Sequence, residues 1–465
     1  MSEELSAFRL GDIRGIYPDE VNESFVERFA HAFVGHFNLQ GRVATGRDMR
    51  ASSEGLQLAL NESLSSIGID VVDIGLCPTE LGYFASGMRG IDAAMIVTAS
   101  HNPPTDNGLK CVLADGQAIT QEGGLADISR LMADDYRHRP AKGSVVCENF
   151  HERYLRFLKR HFSVETLHAG QVALNGLNGT AATMADMIAA AFNLPVTWFR
   201  KSPGPMPEEG ADPTNPKLVR EMKSFMAGQE FALGVAWDGD CDRCVCFDNE
   251  GELVPTYYLI GLLAEKFLTD KPGGAIVFDT KLCWNTLDII AKLGGVAVPA
   301  ETGHAYMKHK MHRHQAVYGG ELSSHHYFGD FFGCDSGMFT WLTIQSMLAA
   351  TGESLSEMIQ SRKAEVAITR EISLSLSDVD RAFVTVLSQF EEVATDVDHF
   401  DGLSFTMPGD WRFSLRRSKT EPVVRLNFET RGAPETLISE GAAVFQALEP
   451  FRGDDEDWLE YFHIQ

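Results

Sequence analysis

Read for its alternation of apolar and polar positions, the chain breaks into short strand-like and longer helix-like segments that follow one another with regularity. IDVVDIG (Ile69 to Gly75), AAMIVT (Ala93 to Thr98) and LKCVLAD (Leu109 to Asp115) are brief apolar, β-branched runs and predict buried strands. ITQEGGLADISRLMADDY (Ile119 to Tyr136) predicts a helix, and a basic, polar stretch from Arg137 to Ser144 closes this first unit. QVALNG, GTAATMADMIAAAF and LPVTWF then read as strand, helix and strand. The Pro- and Gly-rich segment KSPGPMPEEGADPTNP (Lys201 to Pro216) reads as a surface loop, before another apolar strand, FALGVAWD (Phe231 to Asp238). A third unit repeats the theme through YYLIGLLAEKFL, GAIVFD, LCWNTLDIIAKLG and GVAVPA.

Recurring β-α-β units favour α/β layers built on largely parallel sheets. Near Ala367 the pattern changes to strands that follow one another with few helical crossovers, LSFTM, WRFSLRR and VVRLNFET, with one helix before them and one after. The expected fold is therefore α/β, with three consecutive mixed α/β domains (1–150, 151–254 and 255–367) and a C-terminal α+β domain (368–465).

Composition narrows the function classes. A 465-residue chain with 44% hydrophobic and 23% charged residues is an ordinary globular balance. Its net charge of −25 repels nucleic acid and anionic membranes, so neither is an expected partner, and any phosphate ligand must be met by local basic groups. The first residues, MSEELSAFRLGDIRG, lack the apolar core of a signal peptide, and no later stretch approaches a membrane-spanning length. A cytoplasmic protein is expected, in which eight scattered or clustered cysteines need no partners.

Against that background four segments carry chemistry. TASHNPPTDNGLK (Thr98 to Lys110) places Ser100 and His101 at the mouth of a strand, in a loop that Pro103 and Pro104 keep from pairing and that should be stiff and extended. DGDCDR (Asp238 to Arg243) puts carboxylates at alternate positions on a tight turn after a strand, a hard-donor set suited to Mg²⁺ or Mn²⁺. Cys241, Cys244 and Cys246 lack a second cysteine pair at zinc spacing and read as core. GGELSSHHYFGD (Gly319 to Asp330) reads as a loop offering donors and acceptors that match sugar hydroxyls, although paired histidines also suit a plain surface loop. The helix opened by Thr302 and Gly303 shows Lys308, Lys310 and Arg313 as a solvated basic face. In LRRSKTEPVVRLNFE, Arg416, Ser418, Lys419 and Thr420 cluster before Pro422, with Arg425 on the next strand, as a phosphate cradle.

Taken in order, DIRG (Asp12 to Gly15), TASHNP, DGDCDR, GELS (Gly320 to Ser323) and RRSKTEP (Arg416 to Pro422) resemble the α-D-phosphohexomutase family along essentially the whole chain, most closely its bacterial phosphomannomutases. The resemblance implies four domains around a central cleft. It implies that Ser100 is carried as a phosphoserine, with one Mg²⁺ held by Ser100, Asp238, Asp240 and Asp242. It further implies a reaction between mannose 6-phosphate and mannose 1-phosphate through an enzyme-bound 1,6-bisphosphate, a hexose bisphosphate serving as activator. Arg14, Lys110, Arg243 and His325 would surround the reacting hydroxyl, Lys110 and His325 as acid/base groups and His101 as a positioning group. Glu321 and Ser323 would bind sugar hydroxyls, Lys281 and His304 would add contacts, and Arg416, Ser418, Lys419, Thr420 and Arg425 would hold the distal phosphate. Three positions depart from the subgroup: Gly11 stands where a Tyr is frequent, Glu301 where a Lys is common, and Lys419 where the turn usually has Asn. Two other classes share these features, a mutase acting on glucose phosphates and a sugar-phosphate binding protein without turnover. The intact Ser100, aspartates and Lys110 favour turnover over the last.

Overall fold

In the computed structural model, which describes residues 6–168, 170–418 and 423–453, four sheets follow one another along the chain. The first has six strands, in spatial order Ile13–Ile16, Asp106–Leu113, Ala93–Val97, Arg42–Arg47, Asp70–Leu76 and Val145–Cys147. Alternation explains why both of its faces are covered. Ala93, Met95 and Val97 point into an apolar cluster with the helices Glu23–Phe37 and Ser53–Ser66, whereas Ala94 and Ile96 point into a second cluster with the helix Thr79–Ser86.

The second sheet has four strands, in the order Cys244–Phe247, Leu233–Trp237, Val172–Asn175 and Val196–Trp198. The third has five: Val296–Ala300, Ala275–Asp279, Tyr318–Gly320, His326–Phe328 and Cys334–Asp335. All three sheets are mixed. Asp106–Leu113 and Cys244–Phe247 run antiparallel to their neighbours, because each returns directly from a short loop at a strand's end with no helical crossover. Those two loops are the Ser100 and Asp238 loops.

The C-terminal sheet is antiparallel, centred on Val424–Thr430 and Trp411–Arg417, with the helices Val379–Phe390 and Glu435–Leu448 closing a core of its own. By contrast, one apolar cluster runs through the first three units, from Ile96 through Trp237 to Trp341. The fourth unit meets the third through polar groups. Glu429, fully buried, accepts from Arg412 Nη1 (2.7 Å), Tyr257 Oη (2.7 Å) and the backbone N–H groups of Cys283 and Trp284 (both 3.0 Å) at the start of the helix Trp284–Leu293.

Two local expectations change, and one segment gains elements. Ile119–Tyr136 is not one helix: Gly124, at φ 144°, breaks it, and regular α-helix covers only Ala126–Ala133. His326–Phe328 is a strand and not part of a surface loop. The segment before Ile69 adds two strands and two helices, Ile13–Ile16, Glu23–Phe37, Arg42–Arg47 and Ser53–Ser66. Among the described residues no helix is long and apolar enough to cross a membrane.

Candidate active site

The fully buried strand Ala93–Val97 delivers Ser100 to the junction of the first two units. The loop is stiff, but it is not extended at Ser100, which sits at φ 54° in the left-handed region. Its N–H donates to Thr98 Oγ1 (2.9 Å), and Thr98 in turn donates to Asp48 (2.8 Å). Arg50 holds the rest. Its guanidinium donates to the carbonyls of Ser100 (2.9 Å), Asn102 (2.8 Å), Pro103 (2.6 Å) and Asp106 (2.8 Å), while Nε pairs with Asp48 at 3.0 Å. One planar cation with five donors thus satisfies four carbonyls of a turn that has no ladder of its own.

Ser100 Oγ donates to Asp238 Oδ2 at 2.7 Å and lies 3.2 Å from His101 Nδ1. Asp238, Asp240 and Asp242 are buried, with ligand oxygens within 4.8 Å of one another. Asp240 Oδ1 and Asp242 Oδ1 have no hydrogen-bond partner among the described residues. Burial, then repulsion from Asp242 and Asp240, pushes the Asp238 carboxyl well above the usual range; Asp242 shares that burial, but Lys110 and His325 bring it well below. A buried, all-oxygen set with orphaned lone pairs fits a hard divalent cation.

Lys110, on the antiparallel return strand, donates from Nζ to Asp240 Oδ2 (2.8 Å) and to Asp242 Oδ2. Burial works to lower its pKa, yet the two carboxylates raise it above the ordinary lysine value. Arg14 donates to Asp12 (2.8 Å) and to Asn102 Oδ1 (2.9 Å) of the serine loop. His101 is held well below the ordinary imidazole value by burial and by Arg243, Arg14 and Lys110. From the third unit, His325 places Nε2 3.4 Å from Asp242 and Nδ1 2.8 Å from Ser323 Oγ. Its backbone bridges to Arg243, and Cys244 N–H donates to Ser324 (3.0 Å), so the aspartate turn and the histidine segment are zipped together. The paired histidines are therefore not surface: His325 is buried, and His326, fully buried against Tyr318 Oη at 2.7 Å, is pushed down to about 3 by burial.

Glu321 links this cluster to a second one. It accepts from Gly303 N–H (3.0 Å) and Tyr327 Oη (3.1 Å); burial would raise its carboxyl, but His325, Lys281 and His304 lower it. Beyond it, Lys281 pairs with Asp279 (3.1 Å) and approaches Glu371 (3.8 Å) of the C-terminal unit. Arg416 lies 3.9 Å from Asp401 and its Nε has no hydrogen-bond partner among the described residues; Arg425 lies 3.6 Å from Glu371. Ser418 N–H donates to Val423 O at 2.9 Å, closing the base of the turn. Lys419 and Thr420 lie outside the described residues. One cluster offers a buried hydroxyl among carboxylates, and the other gathers Lys281, Arg416 and Arg425 among Asp279, Glu371 and Asp401. That is an arrangement for passing a phosphoryl group to one end of a small molecule held by an anion at the other.

Three family models cover the chain in order: phosphoglucomutase/phosphomannomutase alpha/beta/alpha domain I over residues 5–137, domain II over 152–251 and domain III over 255–365. A phosphomannomutase of Salmonella montevideo is 39% identical over 453 residues, 96% of this chain and 99% of the relative. The chain belongs to the phosphoglucomutase/phosphomannomutase family of α-D-phosphohexomutases. A protein of Xanthomonas campestris pv. campestris (strain B100) named phosphohexose mutases is 38% identical over 444 residues, 92% of this chain and 96% of its own. The crystal structure of a phosphoglucomutase/phosphomannomutase family protein from Burkholderia thailandensis superposes with a TM-score of 0.84 at 26% identity, covering 96% of this chain and 98% of that one.

Within this phosphohexomutase two departures acquire a physical meaning. Gly11 packs so closely on the helix His304–His314 that an added Cβ would meet Ala305 Cβ at 2.5 Å, so a tyrosine at position 11 requires that helix to move. Glu301 faces Lys310 at 3.9 Å. One expectation fails outright: Lys308 is not on a solvated face but 1% exposed, held by Asp335 and Tyr83. Its charge grouped it with Lys310 and Arg313, although three-residue spacing places it with the buried Ala305 and Met311, and nothing local showed that an acidic partner waits on a distant strand. Arg50 escaped notice for the same reason, since GRDMR has no spacing that points to Ser100.

Proposed function

We propose that this phosphohexomutase is a phosphomannomutase that interconverts mannose 6-phosphate and mannose 1-phosphate through a phosphoserine at Ser100 and an enzyme-bound mannose 1,6-bisphosphate. The observation that carries the reading is the buried Ser100 hydroxyl, 2.7 Å from a carboxylate of the aspartate triad and braced by Arg50. The named relatives supply the substrate class. We take the domains to span 1–150, 151–254, 255–367 and 368–465.

The phosphoryl group passes from Ser100 to a sugar hydroxyl, the P–O bond to serine breaking as the one to the sugar forms. Lys110, held as an ammonium by Asp240 and Asp242, gives a proton to the departing serine oxygen, and the sugar hydroxyl proton goes to His325. The bisphosphate then turns over within the site, and its other phosphoryl group returns to Ser100 as His325 gives its proton to the departing sugar oxygen and the serine proton goes back to Lys110, so no phosphate is consumed. Asp238, Asp240, Asp242 and the phosphoserine oxygen are the groups to hold one Mg²⁺, whose contribution is to neutralise charge on the transferring phosphoryl group. Arg14 and Arg243 add positive charge there, and His101 orients the serine. Glu321 and Ser323 hold sugar hydroxyls, and His304 and Lys281 add contacts to the substrate. Arg416, Ser418, Lys419, Thr420 and Arg425 grip the distal phosphate bidentately and by hydroxyl donation. A hexose 1,6-bisphosphate would act as activator by phosphorylating Ser100. The eight cysteines are unpaired, which fits our assignment to the cytoplasm.

Intact-mass analysis of the purified protein, with a coupled assay of mannose and glucose phosphates in parallel, tests the proposal. A phosphoryl adduct absent from Ser100→Ala is expected, together with a rate lower by several orders of magnitude in that variant. A folded Ser100→Ala enzyme with near-normal turnover would sink it.

A further inference from the structure

The buried Lys308 leads to an inference about its neighbour. Its Nζ lies 2.9 Å from Tyr83 Oη, 2.9 Å from Asp335 Oδ1 and 3.3 Å from His304 Nδ1. His304 precedes it by four residues on the helix His304–His314, so the two side chains share one face. An ammonium has three N–H groups and no lone pair; a ring nitrogen facing it can only accept. The other nitrogen, Nε2, faces Asp12 Oδ2 at 3.5 Å and has no hydrogen-bond partner among the described residues. Burial works to raise the Asp12 carboxyl, yet Arg14 and His304 hold it well below the usual carboxylate range, so Asp12 is an acceptor only. Burial, and then the Lys308 charge, lowers the His304 imidazole below its ordinary value, so the ring carries one proton at neutral pH. A donor on one side and an acceptor on the other agree about which nitrogen holds it.

We propose that Lys308 is a positioning residue which, together with Asp12, locks His304 in the Nε2–H tautomer, its Nε2 proton turned to Asp12 and its Nδ1 lone pair filled by the ammonium, so that the imidazole offers the substrate no base. The tautomer stands on the geometry alone; its use on substrate rests on the phosphohexomutase reading of the site. Asp335 makes the arrangement tolerable by compensating a cation that is otherwise buried. The lock removes His304 from the groups able to take the sugar proton.

The test uses the full-length protein with ¹⁵N-labelled histidine and no substrate, with His304 assigned by the signals missing from His304→Gln. Nδ1 is expected in the unprotonated range and Nε2 in the protonated range of imidazole nitrogen shifts. A proton on Nδ1, or an averaged pair of shifts, overturns the proposal, and this measurement needs no variant of Lys308 to fold. In Lys308→Met the His304 shifts are expected to move toward a mixture of tautomers. A folded Lys308→Met protein with unchanged His304 shifts also overturns it. An Nε2–H tautomer in a protein that turns over no hexose phosphate would keep the lock and remove the phosphomannomutase reading instead.

Discussion

Replacing Arg50 by lysine separates the architecture of the serine loop from its chemistry, because Arg50 touches no atom that reacts. The lysine keeps a cation beside Asp48, whose carboxylate and the Arg50 guanidinium are both fully buried, so the pair is not broken. What it cannot do is reach four carbonyls at once: one ammonium replaces the planar fork that binds Ser100, Asn102, Pro103 and Asp106. At about 1 kcal/mol net per hydrogen bond, the loss has an upper bound near 4 kcal/mol. Asn102 is half-buried and Pro103 exposed, so water recovers part of it, leaving about 2 kcal/mol and a melting shift of a few degrees. The rate should suffer more than the fold. Ser100 is held at φ 54° by these contacts, and a displacement of about 1 Å in a positioned nucleophile costs on the order of a hundredfold. Calorimetry and kcat/KM for mannose 6-phosphate, measured on the same preparation with a hexose bisphosphate primer, give both numbers. An Arg50→Lys enzyme within threefold of the parent rate would show that the loop needs no brace and would refute the reasoning.

Asp240→Asn should leave a protein whose activity excess Mg²⁺ restores only in part, and EDTA should abolish the parent activity; full turnover in EDTA would show the aspartate turn to be only a turn. Arg416→Ala removes a contact to phosphate worth about 2–3 kcal/mol, so kcat/KM should fall roughly 30- to 150-fold for mannose 6-phosphate and mannose 1-phosphate alike. A defect confined to one of them would remove Arg416 from a shared cradle. Glu80, buried between Ser336 and Met338 N–H, is pushed up to about 7 from 4.5 by burial. A raised carboxyl favours the folded state fully below its unfolded value and loses that contribution as pH rises to about 7, here about 3 kcal/mol. Urea unfolding at pH 5 and pH 8 should therefore show a smaller difference for Glu80→Gln than for the parent, and equal differences would contradict it.

The parts of the fold legible in the sequence are those where burial is periodic. Ala93–Val97 and Leu233–Trp237 are buried at every position and read as apolar runs, and the turn that follows each displays its chemistry as an unbroken motif. The antiparallel return strands were legible as strands but not in direction, since period two looks the same either way. The groups that stayed hidden act across long separations. Arg50 braces a loop fifty residues on, Lys308 meets Tyr83 and Asp335, and Glu429 meets Tyr257. The partner of a buried charge is not announced by its neighbours along the chain, and Lys308 reads as solvated on its charge alone. Gly11 belongs with them: the sequence shows only a glycine where a tyrosine is frequent, whereas the structure fills that space with Ala305.

The seam at Glu429 divides the protein's response to denaturation. Three units that share one apolar cluster cannot lose a member without opening the cores of the others, so they behave as a single cooperative block. The fourth carries a core of its own and meets them largely through hydrogen bonds and ion pairs, with Glu429, Arg412, Arg431 and Asp401 at the seam. Heat or urea thus meets two blocks of unequal size. Arg416 and Arg425 sit in the smaller block and Ser100 with its aspartates in the larger, so the first pair is expected to lose its setting while the serine loop still stands.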